Sequence, residues 1–175
     1  RQAAEIAGLL ARYQNEATLW LLPLAPAQQA IVAVAPQELR TLLYRRMMMR
    51  IAALVAAAEG AKVLVTGDSL GQVASQTMEN LAVVEDASPL PVLRPHIGRD
   101  KIEIVAEAEA LGTFEVSSAP CQEACVLFEP KRPATKASIE QVRVAEEGLD
   151  LDALARESFQ AAEVRTFRFP GGAGD

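Results

Sequence analysis

A short apolar run, KVLV, ends in the polar turn TGDSLGQVASQT at residues 66–77. The run is rich in β-branched residues and carries no charge after Lys62, which predicts a buried strand that Gly67 closes. A helix is expected to follow, from about Leu70 to Leu81. Strand, turn and helix in this order are typical of parallel sheets, in which helices connect neighbouring strands.

The same alternation of apolar runs and amphipathic stretches continues along the chain. We expect further strands at 17–24, 90–95 and 163–169, the last of them at a sheet edge, and further helices at 2–13, 26–34, 36–60, 98–112 and 151–162, with an irregular stretch at 113–136. These elements predict an α/β fold, with an open parallel sheet that is covered by helices on both faces.

The length of 175 residues is enough for one domain with a sizeable core. We therefore expect one domain over residues 1–169, followed by a glycine-rich, disordered tail at 170–175. The chain begins with RQAAEIAGLLARYQ, which has no initiator Met and already has helical periodicity. The predicted fold is therefore expected to be N-terminally incomplete.

Composition excludes several classes of protein. The net charge of −6 argues against binding nucleic acid through a global positive field. No uninterrupted apolar run reaches about 18 residues, so we expect no membrane span, and no signal peptide is evident. Two cysteines and the single histidine, His96, make a poor zinc site, and no metal-ligating residue is predicted. His96 is interpreted as a structural turn residue, and a cytoplasmic location is the default.

The turn after the KVLV run has features of a ligand cradle. Ligands of open parallel sheets bind beyond the carboxyl ends of the strands, where this turn lies. Its two glycines let the backbone approach a ligand closely. Gln72 and Gln76 lie four residues apart and are expected on one face of the following helix. The alternative is an ordinary strand-to-helix turn capped by Asp68 or Ser69.

The stretch YRRMMMR at residues 44–50 lies within the longest predicted helix. Met47 and Met48 are expected to pack as adaptable core residues. Arg45 and Arg46 then fall on different faces, so that one of them can point towards the ligand edge of the sheet. The alternative is a solvated arginine beside core methionines.

Two cysteines four residues apart, Cys121 and Cys125, lie in the stretch PCQEACVLFEPKRPATK. Three basic residues follow them, whose positive charge favours the nucleophilic thiolate: Lys131, Arg132 and Lys136. The negative charges of Glu123 and Glu129 have the opposite effect and disfavour the thiolate. The alternative is that one or both cysteines are small buried residues.

Together and in this order, these stretches resemble the adenylating catalytic domain of the tRNA 4-thiouridine synthetases, also called tRNA sulfurtransferases. The resemblance covers roughly residues 1–140. Its signatures are RRMMMR, TGDSLGQVASQT with a following EN, PVLRPHIGRDKIEI, LGTFEVS and ACVLFEPKRPATK.

The resemblance implies an adenine nucleotide α-hydrolase-like fold, that of the PP-loop ATPases. It implies that ATP and Mg²⁺ are used to adenylate a uridine of tRNA, and that sulfur from a cysteine persulfide then displaces AMP. Arg45, Gly67 and Gln76 match positions that contact ATP in the family. Cys125 matches the cysteine that accepts or relays sulfur, whereas Cys121 matches no catalytic position.

The resemblance also implies partners. These are tRNA, bound mainly through regions absent from this chain, and a cysteine desulfurase as sulfur donor. Some relatives also supply sulfur for thiamine thiazole synthesis, and a homodimer is a candidate oligomeric state. The phosphate-binding SGGxDS motif does not occur in the chain, so we expect the chain alone to be inactive. The alternatives are another PP-loop ligase or tRNA-modifying enzyme, and a nucleotide-binding fragment without activity.

Overall fold

The computed structural model of the chain describes residues 1–120 and 133–170, and the backbone of 172–174. The chain divides into two compact units by its internal contacts. The first comprises the described residues within Arg1–Leu22, Asp100–Gln122 and Ala162–Asp175, and the second those within Pro23–Arg99 and Glu123–Ala161. One domain over 1–169 stays a prediction.

Helices and strands alternate along much of the described chain. The helices are α1 Gln2–Gln14, α2 Ala25–Val34, α3 Arg40–Ala58, α4 Met78–Glu85, α5 Lys101–Ala110, α6 Phe114–Ser118, α7 Ile139–Glu146 and α8 Leu151–Gln160. The strands are β1 Glu16–Leu21, β2 Leu64–Val65, β3 Val92–Leu93, β4 Glu163–Arg168 and β5 Gly172–Gly174. The predicted α/β class is confirmed. None of the described helices is long and apolar enough to cross a membrane.

The first unit contains a three-stranded antiparallel sheet in the order β1-β4-β5. The expectation that the strand near 17–24 joins a parallel sheet is therefore wrong, and β4 is a central strand, not an edge. The pairing suits the charges, because Arg168 on β4 donates a 2.7 Å hydrogen bond to Glu16 on β1. Solvated charged side chains are normal on one face of an antiparallel sheet. The expected disordered tail contains β5, whose backbone pairs with β4.

The second unit contains the parallel pair β2 and β3, with Leu64 opposite Val92 and Val65 opposite Leu93. The parallel pairing of these two predicted strands is confirmed. Both are shorter than expected, with only two residues each in regular pairing.

Helix α3 provides much of the core of the second unit. Four of its large side chains are 1% exposed or less: Leu42, Leu43, Tyr44 and Met47. Met49 is also buried, whereas Met48, which we expected to pack, is only partly buried. The helix begins at Arg40 after a short 3₁₀ turn, Gln37–Leu39, and not directly at Pro36.

The helix expected from about Leu70 to Leu81 begins eight residues later, at Met78. Thr77 is its N-cap, because the Thr77 hydroxyl accepts a hydrogen bond from the backbone N–H of Asn80. Upstream, Gly71 has a φ of +76°, which a right-handed helix excludes. Gln72 and Gln76 therefore do not share a helix face. Gln76 instead ends a 3₁₀ turn, Ala74–Gln76.

Candidate functional site

The ends of β2 and β3 lie side by side, and the loops that follow them are joined. The backbone N–H of Thr66 donates to the carbonyl oxygen of Leu93 at 3.0 Å, which extends the strand pairing by one residue. Beyond it, the N–H of Leu70 donates to the carbonyl oxygen of Ile97, also at 3.0 Å. The turn at residues 66–77 therefore lies at the carboxyl edge of the parallel pair, where α/β proteins place their ligands.

Asp68 is the centre of this turn and is only 4% exposed. Its Oδ1 accepts hydrogen bonds from Nη2 of Arg45 and from Nε2 of Gln76, the latter at 3.1 Å. Its Oδ2 accepts a 2.7 Å hydrogen bond from the Thr66 hydroxyl. Nε of Arg94 lies 3.5 Å from the same oxygen and forms an ion pair with it. Two cations, an amide and a hydroxyl thus converge on one carboxylate.

The ionised form of Asp68 is favoured. Burial alone would raise the pKa of this carboxyl group. The hydrogen bond from Thr66 and the positive charges of Arg45 and Arg94 outweigh that effect, so the pKa lies below its usual value. Asp68 therefore carries its negative charge throughout the neutral range.

Arg45 reaches this cluster from helix α3. Besides its bond to Asp68, its Nη1 donates to Ser75 at 3.1 Å from Oγ and 3.4 Å from the carbonyl oxygen. Contacts on both sides hold the guanidinium in one orientation. Arg46 leaves the opposite side of α3 to contact Glu146, Asp86 and the carbonyl oxygen of Val83. The predicted separation of the two arginines onto different faces is confirmed.

Arg94 follows β3 and connects the cluster to α4. Its Nη1 donates to Glu85 at 2.6 Å. Its Nε and Nη2 atoms are buried and make no hydrogen bond within the part of the chain that the structure describes. Its charge is therefore balanced mainly by Asp68 and Glu85.

The structure thus brings together the three positions matched to ATP contacts. Arg45 and Gln76 share an oxygen of Asp68, and Gly67 precedes Asp68 in the chain. Gly67 is exposed, and a Cβ atom built on it would meet no heavy atom within 4 Å. Cys125, the predicted catalytic residue, and Cys121 lie outside the described residues.

Sequence reasoning missed the residues that organise this cluster. Asp68 was considered only as a helix cap, although the cap is Thr77. Thr66 and Arg94 were not singled out, even though both follow predicted strands that end at the same edge. That shared position was the available signal, because polar residues immediately after adjacent parallel strands are expected to meet.

Asn80 fastens the loop around this cluster to residues 134–137. It is fully buried, and its Nδ2 donates to the carbonyl oxygens of Ala74 and Ala134 at 2.9 and 2.8 Å. Its Oδ1 accepts from the N–H of Ala137 at 3.1 Å. The neighbouring Thr77 hydroxyl donates to the carbonyl oxygen of Thr135 at 2.7 Å. The backbone at the end of the cysteine-containing stretch is therefore anchored beside the turn that carries Gln76.

A second buried ionic cluster lies between helices α3 and α7. Glu146 is 7% exposed and accepts paired hydrogen bonds from Arg46 and Arg50, all between 2.9 and 3.0 Å. Burial would raise the pKa of Glu146, but the hydrogen bonds and charges of the two arginines lower it below the usual value. Both oxygens of Glu146 accept from two arginines, so we interpret this cluster as structural.

A groove of about 640 Å³ contains none of the predicted site residues. It is lined partly by acidic residues, among them Glu38, Glu140 and Glu147. Repulsion by these negative charges opposes binding of a nucleoside triphosphate in the groove. We therefore favour the turn at 66–77 as the candidate nucleotide site. His96 lies in a turn after β3, as predicted.

The magnesium ion implied by the resemblance can be tested against these side chains. Among the residues that the structure describes, no group of three or more His, Cys, Asp or Glu side chains could hold a metal ion. At the turn itself, both oxygens of Asp68 already accept donors. The described residues therefore do not fit a protein-bound Mg²⁺ site.

Comparisons with known proteins identify the family of this chain. Residues 1–151 match the family described as "Thiamine biosynthesis protein (ThiI)". This chain belongs to the ThiI family. The probable tRNA sulfurtransferases of Thermus thermophilus and Moorella thermoacetica are 48% and 42% identical to it, over 97% and 93% of the chain. The chain spans about 42% of the length of these ThiI relatives.

A solved structure extends the ThiI match to three dimensions. A 4-thiouridine synthetase in complex with RNA, with bound ATP, superposes with a TM-score of 0.90 and 36% sequence identity. The superposition covers 95% of this chain and 44% of that one. The PP-loop type of α/β fold predicted for this ThiI chain is thereby confirmed.

Proposed function

We propose that this chain is part of an enzyme that uses ATP to transfer sulfur to a uridine of tRNA, forming 4-thiouridine. The carbonyl oxygen at C4 of uridine is a poor leaving group until it is converted to a phosphate ester by adenylation. The terminal sulfur of a cysteine persulfide then attacks C4 and displaces AMP, which leaves a disulfide between the cysteine and the base. A second thiol reduces this disulfide and releases 4-thiouridine, so one difficult displacement is divided into easier steps. The observation that carries the proposal is the close match to a 4-thiouridine synthetase with bound ATP.

In this proposal the turn at residues 66–77 is the ATP site, with Arg45, Gly67 and Gln76 as its contacts. Arg45 supplies a fixed guanidinium, the type of group that recognises phosphate oxygens well. Gln76 supplies an amide at the edge of the same cluster. Gly67 leaves open space beside the backbone, into which a nucleotide can fit closely.

Mg²⁺ is proposed as the companion of the nucleotide. The described side chains give it no binding site of their own, and we assign no step to it. Oxygen atoms of substrate phosphates are usual ligands for this ion.

Sulfur is proposed to pass through Cys125, delivered by a cysteine desulfurase. The match of its flanking residues to the family supports this role. We further propose tRNA as substrate, a cytoplasmic location, and sulfur supply to thiamine thiazole synthesis as a second role, which the name of the matching family suggests. A homodimer is the proposed assembly.

A Cys125→Ser variant of the full-length protein should separate the adenylation of tRNA from the transfer of sulfur. We expect this variant to adenylate tRNA in the presence of ATP, because the residues proposed to contact ATP are unchanged. It should form no 4-thiouridine, because serine cannot carry a persulfide sulfur. Adenylation can be followed with radiolabelled ATP, and thiolation by mass spectrometry of nucleosides.

Cys121→Ser is the matched control, because it removes a thiol four residues away. It is expected to thiolate tRNA at the wild-type rate. Normal thiolation by Cys125→Ser would contradict the sulfur-relay role. Turnover with both cysteines replaced would favour another class of PP-loop ligase.

A further inference from the structure

Asp68 is placed where an acidic residue could be taken for a metal ligand. It follows a strand at the carboxyl edge of the parallel pair, beside the proposed ATP site, and it is ionised. Asp carboxylates are common ligands for the Mg²⁺ that accompanies a nucleotide. Its contacts indicate a different role.

Both oxygens of Asp68 already accept hydrogen bonds. Oδ1 accepts from Arg45 and Gln76, and Oδ2 accepts from Thr66 and faces Nε of Arg94 in an ion pair. Three donors thus occupy most of the about four lone-pair sites of the carboxylate. The guanidinium groups of Arg45 and Arg94 lie beside it, and their positive charges repel Mg²⁺.

We propose that Asp68 is a positioning residue that holds Arg45 and Gln76 in the orientation that binds ATP, and that it is not a magnesium ligand. The inference deepens the proposed function and rests on it. Asp68 acts through its two neighbours and is itself only 4% exposed.

The contacts show how each neighbour is oriented. Arg45 is held by Asp68 at Nη2 and by Ser75 at Nη1, which fixes the plane of the guanidinium. Because Asp68 can only accept, it selects the NH₂ end of the Gln76 amide. The carbonyl oxygen of Gln76 then faces away from Asp68 and can accept a hydrogen bond from a donor on the ligand. Groups oriented in advance lose less entropy when the ligand binds.

The test is the affinity of the full-length Asp68→Asn variant for ATP, measured by isothermal titration calorimetry. One titration contains excess Mg²⁺ and the other contains EDTA. Asparagine has nearly the same size, but it loses the charge and presents an NH₂ group where one carboxylate oxygen now accepts hydrogen bonds. We expect binding to be about tenfold weaker in both titrations. A loss of affinity that appears only with Mg²⁺ would show that Asp68 is a metal ligand, and would overturn the proposal.

Glu146→Gln is the matched control. Glu146 is also buried, also has a lowered pKa and also pairs with two arginines of α3, but it has no contact with the turn at 66–77 among the described residues. It should lower the melting temperature and leave ATP affinity unchanged. Equal weakening of ATP binding by both variants would show that a general loss of stability is the cause.

Asp68 and Arg45 should also be coupled. If Asp68 acts through Arg45, the double variant Asp68→Asn, Arg45→Ala loses less affinity than the product of the two single losses. A loss of ATP affinity in the double variant that equals the product of the two single losses would contradict the proposal.

If Asp68→Asn does not fold, the variant Thr66→Val can be used instead. It removes one neutral donor to Asp68 and should weaken ATP binding about two- to threefold. Unchanged binding in that variant would count against the role.

The outcomes also separate this inference from the proposed function. If the wild-type protein does not bind ATP, the proposed function fails. If the wild-type protein binds ATP and Asp68→Asn binds equally well, the proposed function stands and only the positioning role is refuted.

Discussion

At the residue scale, Gly67 and Gly71 differ in what the fold requires of them. Gly67 has no left-handed backbone conformation, and a Cβ atom would find open space within 4 Å. Gly71, four residues later, is different, because its φ of +76° strains any other residue. The protein's own backbone therefore favours glycine at position 71, whereas for position 67 the proposed close approach of a nucleotide is the reason that we infer.

We predict that Gly67→Ala leaves the free energy of unfolding within about 1 kcal/mol of wild type. It should weaken ATP binding about tenfold or more, because the added methyl group occupies the space proposed for the ligand. Urea denaturation and calorimetry measure the two quantities. Gly71→Ala is the control, and should be destabilised by about 1 kcal/mol. Wild-type ATP affinity in Gly67→Ala would remove Gly67 from the site.

At the scale of elements, α4 joins the turn at 66–77 to the backbone at 134–137. Asn80 makes three hydrogen bonds to backbone groups of these two stretches, and Thr77 both caps the helix and bonds to Thr135. Buried backbone groups that lose such partners pay the full cost of desolvation. We therefore expect the start of α4 to determine whether both stretches stay in place.

Replacing Asn80 by alanine should test this connection. The change leaves two carbonyl oxygens and one N–H group without their partner in a fully buried place. We expect the free energy of unfolding to fall by about 2 kcal/mol or more, measured by urea denaturation. Glu79→Gln, at the exposed neighbouring position, should change it by less than about 1 kcal/mol. Similar small losses in both variants would contradict an anchoring role for Asn80.

Local patterns predicted most helices and strands, but not all of their ends or pairings. α1, α2, α3, α5 and α8 lie close to their expected positions because apolar periodicity and end signals are local. The capping box of Ser138 and Gln141, which begins α7, was a local signal that was overlooked. The pairing of β1 with β4 could not be read locally, since its partners lie between 142 (Leu21 and Glu163) and 152 (Glu16 and Arg168) residues apart.

The candidate site could be proposed in part from the sequence. Arg45, Gly67 and Gln76 were matched to ATP contacts through the family resemblance, and the structure brings all three to one edge. Their role in binding ATP stays a prediction. That Asp68 unites Arg45, Gln76 and Arg94 depends on tertiary contacts between α3, the turn and the end of β3. No spacing along the sequence encodes these contacts.

At the scale of the whole molecule, ionised carboxylates contribute to stability in a pH-dependent way. Burial opposes ionisation of Asp68, Asp86 and Glu146, yet arginine partners and hydrogen bonds lower the pKa of each below its usual value. The unfolded chain takes up protons near the ordinary values of 3.8 and 4.5, whereas the folded protein does so only at lower pH. The unfolded state therefore binds more protons in acid, and stability falls as the pH falls.

We predict that the free energy of unfolding is nearly constant between about pH 7 and pH 5.5 and declines as the pH falls below about 4.5. Urea denaturation at a series of pH values measures it. In Glu146→Gln the stability at neutral pH should be lower and the decline in acid shallower, because one of the responsible carboxylates has been removed. An acid decline as steep as that of wild type would show that Glu146 does not contribute.

The antiparallel pairing of β1 with β4 also has a consequence for the order in which the molecule is made. Ribosomes synthesise β1 first, and β4 only after every helix from α2 to α8. Until β4 is synthesised, the backbone of β1 lacks the strand with which it pairs. The second unit has all its strands and helices between these two strands, so its nascent chain is complete while the first unit still lacks its central strand.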